Sequence, residues 1–115
     1  MCRTVIFEKD NEMAFWNLNT LQLDKFRPGI LSKAEIGNNL IMVCMEIEAE
    51  KEDTGHSHKF DQCGIILDGK IEMYIGEERK ILTSDESYFI PSGVEHGWKT
   101  FGNPVKILDI SAKES

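Results

Sequence analysis

The three histidines of this chain fall at the two ends of one stretch, Gly55 to His96, and few folds can bring them together. His56 and His58 stand two residues apart, and His96 closes the run Pro91-Ser92-Gly93-Val94-Glu95-His96. On a β-strand, residues two apart share a face and lie about 6.6 Å from each other along the chain. From there two imidazoles can converge on one cation at the ~2.1 Å of a metal–nitrogen bond. Gln62 follows His58 by four residues and shares that face if no bulge intervenes. His56, His58, Gln62 and His96 therefore read as a metal site on the inner wall of a small β-barrel.

The surrounding pattern is one of short strands. Leu40–Ile47 is β-rich and ends in alternation, with Met45 and Ile47 opposed to Glu46 and Glu48. Gln62–Leu67 runs into Asp68-Gly69, a tight-turn dipeptide. Ile71, Met73 and Ile75 alternate with Glu72 and Tyr74 before a turn at Gly76-Glu77, and Arg79–Leu82 is the return strand. Tyr88–Ile90, His96–Phe101 and Val105–Ser111 complete the series. Upstream, residues 3–8 suit an edge strand, Ala14–Asn17 a short strand, and Thr20–Phe26 a single helical turn. Arg27-Pro28-Gly29 is a turn, and the acidic run Glu46–Asp53, with Thr54-Gly55 after it, is expected as a solvated loop. Strands at this spacing make an all-β sandwich or barrel, not βαβ units.

A chain of 115 residues suits one domain over 1–115 and buries roughly two-thirds of its surface on folding. No segment approaches the ~20 apolar residues of a membrane-spanning helix. The opening Met1–Glu8 is too short and too soon charged for a signal peptide. Cys2, Cys44 and Cys63 are an odd number at irregular spacing, which favours free thiols and a cytoplasmic protein. A net charge of −7 repels nucleic-acid phosphates, so no nucleic-acid partner is expected.

Taken together, these residues resemble the two signature motifs of the cupin superfamily, G-x5-H-x-H-x3,4-E-x6-G and G-x5-P-x-G-x2-H-x3-N. His56, His58, Gly69, Pro91, Gly93 and His96 stand at their places. Gln62 replaces the glutamate, Glu50 and Asp85 the leading glycines, and Thr100 the final asparagine. Asp tolerates a left-handed backbone better than most residues, so Asp85 can occupy a glycine-like turn. The resemblance implies a double-stranded β-helix, or jelly-roll, barrel over 39–111, with 1–38 supplying N-terminal strand and loop. Pro28-Gly29-Ile30, the glutamine variant, Tyr88-Phe89-Ile90-Pro91 and Leu108-Asp109-Ile110 narrow it to small single-domain cupins of the KdgF type. Those proteins convert unsaturated monouronates into linear ketonised sugars.

Carried over, the resemblance implies His56, His58, Gln62 and His96 as ligands of one divalent transition metal, with Asp109 as the proton-handling residue. Three nitrogens and a neutral oxygen suit Zn, Ni, Fe, Co or Mn. In the last strand Ile107, Asp109 and Ser111 share one face, and a lone inward carboxylate near a cation is expensive unless it is used or paired. Tyr74, Tyr88, Trp98 and Phe101 are candidates for the pocket mouth, and Arg27, Lys59 and Lys106 for anchoring a substrate carboxylate. Cys63 alternates with Gln62 and should face away from the metal. The expected partner is a small molecule, in a homodimer paired through sheet edges. The alternatives are a metal-dependent lyase or dioxygenase on the same ligands, and a non-catalytic small-molecule binding cupin.

Overall fold

The computed structural model of the chain describes residues 14–113, so the strand expected over residues 3–8 lies outside the described part. Within it are ten strands and no helix: β1 (Asp24–Arg27), β2 (Ile30–Ile36), β3 (Leu40–Ile47), β4 (Glu52–His56), β5 (Gln62–Asp68), β6 (Ile71–Ile75), β7 (Glu78–Leu82), β8 (Ser87–Ile90), β9 (His96–Thr100) and β10 (Val105–Ala112). They form a six-stranded sheet, ordered β1-β2-β3-β10-β5-β8, and a four-stranded sheet, ordered β4-β9-β6-β7. Every pairing is antiparallel, and the expected all-β jelly-roll is the architecture found. No helix among the described residues is long and apolar enough to cross a membrane.

Alternation places the core. Along β10, Val105, Ile107 and Asp109 are buried while the residues between them are half-buried. Ile71 and Met73 of β6 do the same from the four-stranded sheet. They meet Ile30, Ile47, Ile66, Leu82 and Ile90 in one cluster. Each such side chain contributes about 1.5–3 kcal/mol by leaving water.

Four local expectations change. Ala14–Asn17 forms no strand, and the helical turn expected over Thr20–Phe26 gives way to a turn at Leu18–Thr20 and to β1. Asp24, Lys25 and Arg27 pair with β2 instead, and ladder hydrogen bonds outweigh weak local helical preference. Part of the acidic run is strand, because Glu52–His56 pairs with β9 and is held inside a sheet. Asp68-Gly69 closes no hairpin. Gly69, at φ 97°, carries the chain from β5 in one sheet to β6 in the other.

Glu50 and Asp85 are the non-glycine residues with positive φ among those described, at 59° and 72°. They are the two residues standing where the motifs place glycine. An L-residue there costs roughly 1–2 kcal/mol. Backbone bonds hold both in place: Glu50 N donates to Phe101 O and Asp85 N to Ile66 O, each at 2.8 Å.

The register defines two ends. At one, His56 pairs with His96 and His96 with Ile75, while across the core Gln62 pairs with Ile90 and Ser111. At the other, Val105 and Ile30 both pair with Ile47, Ile30 pairs with Arg27, and Thr100 pairs with Ile71.

Candidate metal centre

The histidine end assembles from three segments. His56 is the last residue of β4 and His96 the first of β9, so the ladder sets them side by side. His58 lies past the end of β4, and the expectation that it continues the strand of His56 does not hold. A loop, not a strand face, brings it in. Gly93 N donates to His58 O at 2.6 Å and Ser92 N to Asp61 Oδ1 at 2.9 Å, which ties this loop to the Pro91-Ser92-Gly93 turn. Gln62 arrives from the opposite sheet as the first residue of β5, so it shares no strand with His58.

The ring centroids lie 4.5 Å (His56–His58), 4.4 Å (His56–His96) and 5.0 Å (His58–His96) apart. One nitrogen from each ring falls within 4.8 Å of the other two, a spacing that could hold a metal ion. The hydrogen bonds fix which nitrogens are free. His96 Nδ1 lies 3.0 Å from Val94 O. A carbonyl only accepts, so Nδ1 carries the proton and Nε2 keeps its lone pair. His56 Nδ1 lies 3.2 Å from Asp53 Oδ1, which imposes the same tautomer. His58 stacks on Phe60, with centroids 4.5 Å apart and planes 6° from parallel. Burial, and then the neighbouring His56 and His96, hold His58 below the usual imidazole range. That favours the neutral His58 ring, the form that ligates.

Two buried polar atoms here have no partner, His96 Nε2 and Gln62 Oε1. Leaving either unmatched costs about 1–3 kcal/mol, and a cation between them would satisfy both. The residues fit a divalent metal on that ground. Both side chains line a cavity of about 60 Å³, together with His56, Trp98, Tyr88, Asp109 and the apolar Met45, Ile47, Met73, Ile90 and Ile107.

Asp109 sits beneath them at 5% exposure. Gln62 Nε2 donates to its Oδ2 at 2.9 Å, and the Tyr88 hydroxyl donates to the same oxygen. Burial pushes the Asp109 carboxyl above the usual carboxylate range, and those two donors pull against it. Burial and the adjacent Asp109 push the Tyr88 phenol far up, so it stays a donor.

The other predicted residues divide by position. Trp98 and Tyr88 both line the cavity, Tyr88 as the partner of Asp109 rather than at a mouth. Phe101 does not belong to the site: it lies five residues from His96, about 16 Å along the strand direction, and lies under Lys70, 5.3 Å away. Arg27 is also at the far end, beside the Phe26 ring at 5.5 Å. Lys106 pairs there with Asp68 and Glu46, and its ammonium donates to Leu18 O. Lys59 is exposed on the loop after His58. Tyr74 faces outward and donates to Thr54 O at 3.0 Å, covering Gly55 and Gly97, where an added Cβ would lie 2.0 Å from its hydroxyl oxygen and 2.6 Å from its ring. Sequence reasoning missed Asp53 and Phe60, and an acid three residues before the first histidine was the available signal.

Residues 43–111 match the family model described as "Cupin domain". Among solved structures, the chain is similar to KdgF from Halomonas sp., with 21% identity, TM-score 0.78 and coverage of 90% of this chain and 96% of that one. An RmlC-like cupin from Shewanella frigidimarina gives 18% identity and TM-score 0.77, over 90% and 93%. The polyketide cyclase RemF from Streptomyces resistomycificus gives 17% and 0.74, over 90% and 81%. At these identities the likeness is one of fold. No curated protein matches the chain.

Proposed function

This chain belongs to the cupin domain family, and from that premise we propose that it is a metal-dependent enzyme acting on a small sugar acid, of the type that ketonises and linearises unsaturated uronates. The observation that carries this reading is the convergence of three imidazoles and the unpartnered Gln62 Oε1 above a buried carboxylate. His56, His58, Gln62 and His96 hold one divalent ion, which supplies Lewis acidity to a substrate oxygen. Asp109 is the proton carrier. Burial raises its carboxyl above the usual carboxylate range while donation from Tyr88 and Gln62 pulls the other way. That suits a group that accepts the proton of an enol hydroxyl and returns it to carbon, with no atom gained or lost. Trp98, Met45 and Met73 keep water from that transfer.

A specific feature supports a second reading. The residues lining the cavity are largely apolar and none is Lys or Arg, which suits an uncharged substrate and a lyase or dioxygenase on the same ligands. Turnover separates the two. Protein loaded with Zn, Ni, Fe, Co or Mn is expected to consume unsaturated uronates, and Asp109→Asn to lose at least about 100-fold in rate while keeping its metal. Metal binding with no uronate turnover would favour the second reading. We further propose a cytoplasmic homodimer. Exposed Phe26 and Phe89 on the two edge strands, β1 and β8, support pairing through sheet edges. Sedimentation equilibrium is expected to return twice the chain mass.

A further inference from the structure

Asp109 has a second task at the site, separate from proton transfer. We infer that Asp109 is a positioning residue that decides which end of the Gln62 amide faces the histidines. The inference rests on the metal reading above and extends it to the one ligand whose donor atom can be exchanged by rotation.

A glutamine side chain can present either its oxygen or its NH2 group, and the two differ by a half-turn about one bond. Only the oxygen can ligate a cation. In this barrel the amide lies between two demands. On one side is the Asp109 carboxylate, an acceptor on both oxygens, with Gln62 Nε2 donating to its Oδ2 at 2.9 Å. On the other are the bare Nε2 of His96 and the cavity shared with His56. Facing an acceptor, the amide must turn its NH2 toward Asp109, which leaves Oε1 on the histidine side, buried and without a partner. Tyr88 completes the device. Its hydroxyl donates to the same Asp109 oxygen, so the carboxylate is fixed from the core side and cannot swing away.

The arrangement also explains the departure from the motif. A glutamate at position 62 would add a negative ligand, yet it would set one carboxylate against another where the amide donor now lies at 2.9 Å. Glutamine is the residue that can donate downward and accept upward at once. Asp109 thus selects the amide oxygen as ligand without touching the ion.

Co2+ binding by the full-length chain tests this, followed by titration calorimetry and by the visible absorption of the bound ion. Asp109→Asn keeps an oxygen that accepts from both Tyr88 and Gln62, so its affinity should stay within about threefold of the unaltered protein. Asp109→Leu removes the acceptor and should lose about 10–100-fold, the range found when a ligand's orienting partner is deleted. Equal losses in Asn and Leu would mean that Asp109 acts through its charge, and would overturn the inference. So would full affinity in Asp109→Leu. A second pair covers the case in which the leucine variant does not fold. Gln62→Glu alone should bind no more tightly than the unaltered chain, whereas Gln62→Glu with Asp109→Asn, where the new amide donates to the new carboxylate, should bind at least tenfold more tightly than Gln62→Glu. Additive effects of the two substitutions would contradict the inference. Failure of the unaltered protein to bind Co2+ at all would instead overturn the metal reading, and this inference with it.

Discussion

His96 and Thr100 stand at opposite ends of β9, four residues apart, both polar and both buried, at 4% and 0% exposure. Thr100 is fully matched. Its hydroxyl donates to Glu48 O and accepts from Lys51 N, each at 2.8 Å. His96 is matched on one side only, with Nδ1 on Val94 O and Nε2 on nothing. Thr100 joins the β3–β4 connection to β9 and closes the far end of the barrel. His96 keeps an unmatched lone pair in a place where water is scarce, a cost that folding alone does not explain. One strand thus separates a polar group satisfied within the fold from one left without a partner in the protein.

Substitutions at the two ends should divide accordingly. The largest effect is expected for His96→Ala, which should lower affinity for a divalent transition metal by more than about 100-fold, beyond what loss of an orienting partner costs. Calorimetric titration with Zn2+ measures it, and an unchanged affinity would remove His96 from the ligand set. Thr100→Val should reverse the pattern. It leaves Lys51 N without its acceptor and should cost about 1–3 kcal/mol in denaturant unfolding, with metal affinity unchanged. If Thr100→Val weakened metal binding as much as His96→Ala, the division between the ends would fail.

Gly64→Ala tests how far the core transmits to the histidine end. A Cβ there would lie 2.3 Å from the Tyr88 hydroxyl and 2.7 Å from Leu108 O, so Tyr88 must shift from Asp109. About 1–3 kcal/mol of destabilisation is expected, together with weaker metal binding. The smallest effect belongs to the far end. Glu50→Gly should relieve a left-handed glutamate at φ 59°, for a gain of about 0.5–1 kcal/mol after the entropy cost of glycine. Asp85→Gly should gain less, since aspartate tolerates that conformation better. A loss of stability in Glu50→Gly would show that its side chain matters more than its backbone.

The parts of this molecule that were legible in its sequence are those governed by local alternation or by spacing. Ile71–Ile75 and Val105–Ala112 alternate in sequence and in burial, so the inward direction of Asp109 followed from its neighbours. The clustering of three distant histidines followed from their places in a known spacing. What stayed hidden depends on which sheet and which end a segment reaches. Gln62 reaches the cluster from the opposite sheet, and Phe101 and Arg27 fall at the wrong end, because crossovers between sheets decide those positions and leave no periodic trace. Asp53 was hidden for another reason. An acid in a charged run looks solvated until strand pairing turns it toward His56.

The central claim is that His56, His58, Gln62 and His96 hold one ion. Elemental analysis of protein purified without chelators tests it most directly. The account predicts about one equivalent of a divalent transition metal per chain, lost when His56 and His58 are both replaced by alanine. A folded protein with no stoichiometric metal, unable to take one up from added Zn, Ni, Fe, Co or Mn, would contradict it.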